Sequence, residues 1–382
     1  MSIQDARRII LQAQKLKSSA APNTLQIIRD LGHVQIDTIS VVQRAHHHIL
    51  WSRNSNYRTS ELEELQTQRK IFEYWSHAAS YLPIESYRFC LPRMYLYRSG
   101  KNHWFKVDKK IKKYVLDTIK AEGPKKASDF KSPRKKSGWF DWAPSKKALE
   151  LLFMEGTLMA TRREGFHKVY DLKENVLPPQ LDTRFPSEKE YAQFLIGEQL
   201  KNQGPALSDE IAYQRGAKVK SLVKKTLDEM VEDKKLIKVN IEKQKHPYYL
   251  RPDFLDKIKN ANSWSADVHI LSPFDNLVIQ RNRLEFFFNF NYRIECYMPA
   301  HKRKFGYFCL PLLVGDQFIG RIDVKAHREK GLLEVKKIFF ENPSVQKRSE
   351  TTFNNKLEEF AQFNGCSKVI GARIGPVIMR NK

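Results

Sequence analysis

Gln35 and Asp37 are the residues of this chain whose types and spacing best fit chemistry. They alternate with two apolar residues in the run Val34-Gln35-Ile36-Asp37. Successive side chains of a β-strand point to opposite faces, so an extended run would bury Val34 and Ile36 and place the amide and the carboxylate on one face, roughly 7 Å apart. A carboxylate in that place can stabilise a developing positive charge and accept a proton from water, and the amide can orient that water.

The charge balance indicates a polyanionic partner. The 382 residues contain 67 Lys and Arg against 43 Asp and Glu, which gives a formal net charge of +24 and a pI near 9.7. This balance predicts affinity for a polyanion through phosphate neutralisation and counterion release. Anionic lipid is the competing partner, but the sequence has no run of 18 apolar residues and its first turn already carries Asp5, Arg7 and Arg8. We therefore expect a cytoplasmic monomer without membrane contact, associated with the nucleoid when bound to DNA.

Metal and cofactor chemistry is not indicated. No two cysteines have the short spacing of a zinc site or a disulfide framework (Cys90, Cys296, Cys309, Cys366). Neither common glycine-rich phosphate loop is present, which disfavours nucleotide-driven chemistry. The run His46-His47-His48 invites a metal interpretation, but consecutive helical positions fan out by about 100°, so packing and DNA-facing roles fit better. We expect no cofactor.

An internal repeat predicts two winged-helix modules. The segment Gly123–Phe130 resembles Gly204–Ile211, and each offers a Ser as N-cap followed by an acid in the first helical turn. A longer amphipathic helix and a two-stranded wing follow each copy, at Ser145–Glu155 with Leu158–Leu172 and at Lys218–Glu232 with Leu236–Leu250. This order is typical of a winged helix.

The N-terminal stretch fits a third, less regular copy. A helix over Asp5–Lys17 precedes a second helix that is capped by Asn23 or Thr24 and stopped by Gly32, and another helix covers Val41–Ser52.

The C-terminal part predicts an antiparallel sheet that closes into a small barrel. Its strands are rich in Phe, Tyr, Ile and Val, and a helix over Thr352–Phe363 covers one end. The predicted strands are Leu284–Tyr297, Phe305–Leu313, Gln317–Val324 and Leu332–Phe340. The predicted fold is thus α+β, with winged-helix modules at 1–110 (carrying the Gln-Ile-Asp motif), 111–180 and 181–260, and a β-barrel at 261–382 with a DNA-contacting hairpin.

Several motifs, in this order along the chain, resemble one family. They are Gln35-Ile36-Asp37 with Arg44-Ala45-His46-His47, Phe72–Ala79, Arg163-Glu164-Gly165-Phe166 with Tyr170-Asp171-Leu172, Leu271–Leu277, and Tyr292-Arg293-Ile294-Glu295 continuing to Leu313. Together they resemble the bacterial winged-helix DNA glycosylases of the AlkZ/YcaQ family, which unhook interstrand crosslinks. The resemblance spans nearly the whole chain. Asp37 places the sequence with the Gln-apolar-Asp (YcaQ) members, which are associated with crosslinks and N7-alkylguanine.

The resemblance implies base excision from alkylated or crosslinked double-stranded DNA. Alkylation at N7 makes guanine a good leaving group, so the enzyme has to stabilise the cationic sugar and supply water, for which we expect Asp37, oriented by Gln35. No lysine adjoins the motif, so we expect a monofunctional enzyme that leaves an abasic site. Expected DNA contacts are Arg44, His47, Arg53, Lys302, Arg303 and Lys304, the last three at a hairpin tip. Asp275 and Glu295 are expected to pair with nearby arginines.

Two other functions remain open from the residues alone. Winged helices are common in non-enzymatic DNA-binding regulators, and fold alone does not settle function. A nuclease would need clustered carboxylates for metal ions, and no convincing cluster is visible.

Overall fold

The computed structural model describes residues 1–17, 22–100, 105–130, 142–259, 267–341 and 343–371, with side chains described except at 257–259 and 343–350. Its backbone divides into two compact units. The larger unit comprises Met1–Arg58 with Leu195–Lys382, and the smaller unit comprises Thr59–Phe194. The four-part division at 110, 180 and 260 stays a prediction.

The described chain contains both helices and strands. The helices are α1 Ile3–Ala13, α2 Thr24–Leu31, α3 Ala45–Trp51, α4 Ser60–Thr67, α5 Leu91–Arg98, α6 Lys109–Glu122, α7 Pro144–Met154, α8 Lys173–Val176, α9 Glu188–Gln203, α10 Ser208–Ile211, α11 Ala217–Glu232, α12 Asp253–Lys259, α13 Arg281–Phe288 and α14 Pro343–Phe363. The strands are β1 Val34–Gln35, β2 Ile71–Trp75, β3 Ala79–Pro83, β4 Lys125–Lys126, β5 Leu158–Glu164, β6 His167–Leu172, β7 Ile237–Val239, β8 Tyr248–Leu250, β9 Val268–Ile270, β10 Cys309–Val314, β11 Gln317–His327, β12 Leu332–Phe340 and β13 Lys368–Ile370.

The C-terminal sheet is open, so the predicted closed barrel is wrong. Its strand order is β13-β12-β11-β10-β9, a curled half-barrel whose two edge strands do not pair with each other. The sheet is also not fully antiparallel, because β13 runs parallel to β12. The hairpins β10–β11 and β11–β12 turn at Gly315 and Gly331, which both have the left-handed backbone that glycine adopts at least cost. The strand predicted at Leu332–Phe340 is confirmed.

The strand predicted over Leu284–Tyr297 is wrong, because its first part is helix α13. Leu284, Phe287 and Phe288 are all buried, at the i, i+3, i+4 spacing of one helical face. Short apolar runs rich in Phe do not distinguish a strand from a buried helix by composition. These three side chains lie in an apolar cluster of the larger unit.

Each copy of the internal repeat contains the same kind of hydrogen bond, from a backbone amide to a side-chain carboxylate. The amide of Lys126 donates to Asp129 (2.8 Å) and the amide of Leu207 donates to Glu210 (2.9 Å). In each copy a carboxylate three residues on satisfies an N-terminal N–H, as in one half of a capping box. The Ser N-cap prediction is wrong in both copies, because Lys126 and Leu207 occupy the N-cap positions.

Longer helices and antiparallel pairs follow both copies of the repeat as predicted. They are α7 with β5 and β6, and α11 with β7 and β8. Their interpretation as winged-helix modules stays a prediction.

An apolar cluster and a buried ion pair both contribute to the core of the smaller unit. Arg163 donates from Nε and Nη2 to the two oxygens of Glu73, at 2.9 and 2.7 Å. Glu73 is fully buried, so this bidentate pairing satisfies a carboxylate that would otherwise be costly there. Both residues belong to motifs on which the family resemblance depends, and their role here is structural.

Candidate active site

A short strand and a side-chain turn position Asp37. Helix α2 ends at Gly32, whose left-handed backbone (φ +71°) is the predicted stop, and β1 then covers only Val34 and Gln35. Asp37 Oδ1 accepts a hydrogen bond from the amide of Ile39 at 2.8 Å. This local side-chain turn competes with strand geometry and ends the extended run before Asp37.

The predicted alternation of faces is therefore wrong. Val34, Gln35 and Ile36 are all buried, at 0%, 8% and 6% exposure, whereas Asp37 is half-buried. Because Gln35 is buried, it does not share a solvated strand face with Asp37.

The Asp37 carboxylate lies in an environment that disfavours its charge. Burial raises its pKa, and hydrogen bonds from the amides of Ile39 and Thr38 partly oppose that rise. The carboxylate in turn raises the pKa of the Cys296 thiol and the Tyr297 phenol, after burial as the larger cause. Two residues some 260 positions away are thus electrostatic neighbours of Asp37, and no sequence signal pointed to either.

Distant parts of the larger unit hold both ends of the segment that carries Asp37. Asn276 Nδ2 donates to the carbonyl of His33 at 3.0 Å. The amide of Ala326 donates to the carbonyl of Val41 at 2.9 Å. The amide of Gln43 donates to Asn364 Oδ1 at 2.7 Å. These contacts fix residues 33–43 against the C-terminal part of the chain.

Arg53, which was predicted to contact DNA, has a fully buried side chain that forms an ion pair with Asp275. Nη1 and Nη2 donate to the two Asp275 oxygens at 2.6 and 2.9 Å, and both side chains have 0% exposure. Nε donates to the carbonyl of Gln14 at 2.8 Å. The expected role of Asp275 as a structural partner of an arginine is confirmed.

His47 and His48, two of the three consecutive histidines, have different hydrogen-bond partners. His48 is buried with Nε2 at 2.8 Å from the carbonyl oxygen of Ile270, and His47 Nδ1 lies 2.7 Å from the hydroxyl of Tyr57. Burial, and then the charge of Arg44, lower the pKa of His47 to about 4. With this pKa, His47 is neutral at pH 7 in the structure without DNA.

Two arginines lie near the Asp37 segment. Arg44 occupies the N-cap of α3. Arg328 Nη1 donates to the carbonyl of Ser40 at 3.4 Å, and its pKa is lowered by burial and by Arg44, with Cys366 opposing. Arg328 was missed by sequence reasoning because it lies in the turn after β11, far along the chain.

The basic run Lys302-Arg303-Lys304 lies on the loop between α13 and β10, so the predicted hairpin is not formed. Glu295 organises this loop by accepting from the amides of Lys304, Phe305 and Gly306, at 3.1, 2.8 and 3.2 Å. Its expected pairing with an arginine is wrong, since these partners are backbone groups. Lys302 and Lys304 are exposed, whereas Arg303 packs over Tyr307 at 4.9 Å.

Burial raises the pKa of the Cys296 thiol, the charge of Asp37 raises it further, and the charge of Arg303 lowers it. Within the described ranges, no three His, Cys, Asp or Glu side chains are grouped to hold a metal ion. No described helix is both long and apolar enough to span a bilayer.

Two comparisons with known proteins agree. The family model described as DNA glycosylase AlkZ-like matches residues 28–363. The solved structure of Streptomyces sahachiroi DNA glycosylase AlkZ matches with a TM-score of 0.66 at 14% sequence identity, covering 99% of this chain and 100% of that one. At this identity the structural likeness establishes a shared fold, and the family match extends over most of the chain.

Proposed function

This chain belongs to the AlkZ-like DNA glycosylase family, and from that premise we propose that it hydrolyses the N-glycosidic bond of N7-alkylated guanine, unhooks interstrand crosslinks and leaves an abasic site. The observation that carries the proposal is the half-buried Asp37 carboxylate, held at a fixed place in a strongly basic chain. A carboxylate in that place repels a polyanion, so it hinders simple DNA binding and fits a catalytic role instead. Family membership favours the enzyme over a non-enzymatic regulator.

In the proposed reaction, the departing base needs no proton from the protein. An N7-alkylated guanine already carries positive charge, so it leaves without a general acid. The sugar then becomes oxocarbenium-like, and the Asp37 carboxylate stabilises it and accepts a proton from the attacking water. Gln35, two residues before Asp37 in the motif, orients that water or the sugar.

The Gln-apolar-Asp motif supports assignment to the branch associated with crosslinks. A base tethered to the opposite strand cannot be extruded into a closed pocket, as many base-processing enzymes require. We infer that the duplex is bound at an open surface by basic side chains, with Arg44, Lys302, Arg303 and Lys304 among them and His47 as a neutral donor or acceptor. We propose that tandem winged-helix modules form this surface, and that the protein acts as a monomer.

Single-turnover excision tests the proposal. The full chain is incubated in excess with a duplex bearing one 7-methylguanine, then with a duplex bearing one N7-linked crosslink, and the same duplex without damage is the control. We expect release of the alkylated base, with strand cleavage only after alkali. Tight duplex binding without base release from either substrate would contradict the proposal.

The rate should fall at acidic pH because Asp37 acts as a carboxylate. Its raised pKa places the midpoint of this decline above the ordinary aspartate value of about 3.9. Because folding raises the pKa of this carboxyl, its protonation at lower pH stabilises the folded state. The fall in excision rate therefore cannot come from unfolding caused by the titration of Asp37. Single-turnover rates between about pH 3.5 and 6, corrected for spontaneous depurination, measure the midpoint. A rate that stays constant below pH 4 would exclude Asp37 as the base.

A further inference from the structure

A cavity of about 380 Å³ lies in the larger unit beside the basic loop. This volume is at the lower end of the range for small-molecule sites. It is lined by Asn291, Arg293, Glu295, Met298, Lys302, Lys304, Phe305, Arg321 and Glu341.

The charge of the cavity favours an anion. Its four cationic side chains face two carboxylates, and both carboxylates are already engaged. Glu295 accepts three backbone amides of the loop, and Glu341 accepts Arg321 Nη2 at 2.8 Å. Arg293, Lys302 and Lys304 are exposed, and none of them forms a salt bridge with another described residue.

Arg321 provides a second, independent indication. Its side chain is only 4% exposed, and Nη2 donates to the carbonyl of Asn291 at 3.0 Å as well as to Glu341. Its Nε is buried without a hydrogen-bond partner in the part of the chain that the structure describes. The guanidinium also lies 4.0 Å from the centre of the Phe305 ring. Arg321 thus brings a positive charge and one unpaired N–H donor to the cavity wall, and guanidinium groups are typical of sites that bind anions bearing several oxygens.

The rest of the wall suits an organic group attached to that anion. Met298 and Phe305 present apolar surface next to the cations. Aromatic and apolar side chains beside a basic groove are the combination with which proteins bind single nucleotides of a strand.

We propose that this cavity binds one nucleotide unit of a DNA strand, with the phosphate held by Arg293, Lys302 and Lys304 and the sugar or base against Met298 and Phe305. The inference deepens the proposed function and rests on it, since it takes the DNA substrate as the occupant. The cavity then binds the DNA strand, while the reaction takes place at Asp37.

Methyl NMR of the full chain labelled at methionine tests the proposal. Met298 lies in the cavity wall, and Met230, on α11 of the same unit, serves as the internal control. The probes are inorganic phosphate, deoxyguanosine 5′-monophosphate and a short undamaged duplex, and binding of the duplex is followed separately by fluorescence anisotropy. We expect the duplex and the nucleotide to shift the Met298 methyl signal saturably and to leave Met230 unchanged.

Variants connect that signal to the cavity. Arg293→Ala and Lys302→Ala should each weaken the Kd for the nucleotide by about tenfold, because each removes a charge-assisted contact. Lys330→Ala removes an exposed lysine that does not line the cavity and should change nothing. An unchanged Met230 signal in each variant establishes that the unit is folded.

The outcomes separate this inference from the proposed function. Duplex binding by anisotropy with an unmoved Met298 would overturn the cavity as a strand site and leave the glycosylase proposal intact. Equal shifts from inorganic phosphate and from the nucleotide would overturn the nucleotide assignment. A response to the free nucleotide alone, without duplex binding, would overturn the strand as occupant, and the excision assay would then decide the proposed function by itself.

Discussion

Asp37→Asn should lower the single-turnover rate of 7-methylguanine excision by about a thousandfold. At about 4 Å and an effective dielectric constant near 20, a carboxylate attracts a unit positive charge by on the order of 4 kcal/mol. If this attraction acts only on the transition state, its loss corresponds to about three orders of magnitude in rate. Asn retains the shape of the side chain and an oxygen that can accept from the Ile39 amide, so the turn after β1 should persist.

The affinity of Asp37→Asn for duplex DNA should rise or stay unchanged. Removing a negative charge next to a polyanion leaves duplex binding unchanged or stronger. Asp267→Asn is the matched control, because it removes one carboxylate charge from an exposed position in the same unit. The control should excise at the wild-type rate. An Asp37→Asn rate within tenfold of wild type would assign the chemistry to another group.

Asp275→Ala should lower the free energy of unfolding by about 3–5 kcal/mol. The variant leaves the Arg53 guanidinium buried at 0% exposure without its anion, and breaking a buried pair from one side has about this cost. Urea unfolding followed by circular dichroism measures the change as a lower midpoint. Asp267→Ala breaks an exposed ion pair with Lys17 and should cost less than about 1 kcal/mol.

A double variant separates the missing charge from the missing contacts. Arg53→Met combined with Asp275→Leu removes both charges and fills the space with apolar atoms, so it should recover much of the loss. If Asp275→Ala is no more destabilising than Asp267→Ala, the buried pair does not carry the stability that its geometry indicates.

Local signals in the sequence were sufficient for many elements. The Gly32 stop, the Asn23 cap and the repeated segments beginning at Gly123 and Gly204 depend on contacts within a few residues, and these features are present. The Glu73 and Arg163 motifs carried the family resemblance without indicating that these residues bind each other. That pairing joins residues 90 positions apart, which no local pattern reveals.

The errors arise where tertiary contacts override local preference. The Phe-rich run after Gln280 packs as helix α13 because its i, i+3, i+4 face meets the core, although its composition favours a strand. The charge of Arg53 suggested DNA, and only the position of Asp275 shows that the charge is used internally. Cys296 and Tyr297 could not be connected with Asp37, since their proximity results from folding alone.

The tethering of residues 33–43 has a consequence for biosynthesis. Val41 and Gln43 are held by Ala326 and Asn364, so the segment that carries Asp37 cannot be fixed until the ribosome has translated past residue 364. At about 5–20 residues per second, translation from residue 43 to residue 364 takes on the order of 15–65 s. The Asp37 carboxylate is thus translated early but positioned late. A nascent or C-terminally truncated chain that already binds DNA would therefore not excise bases from it.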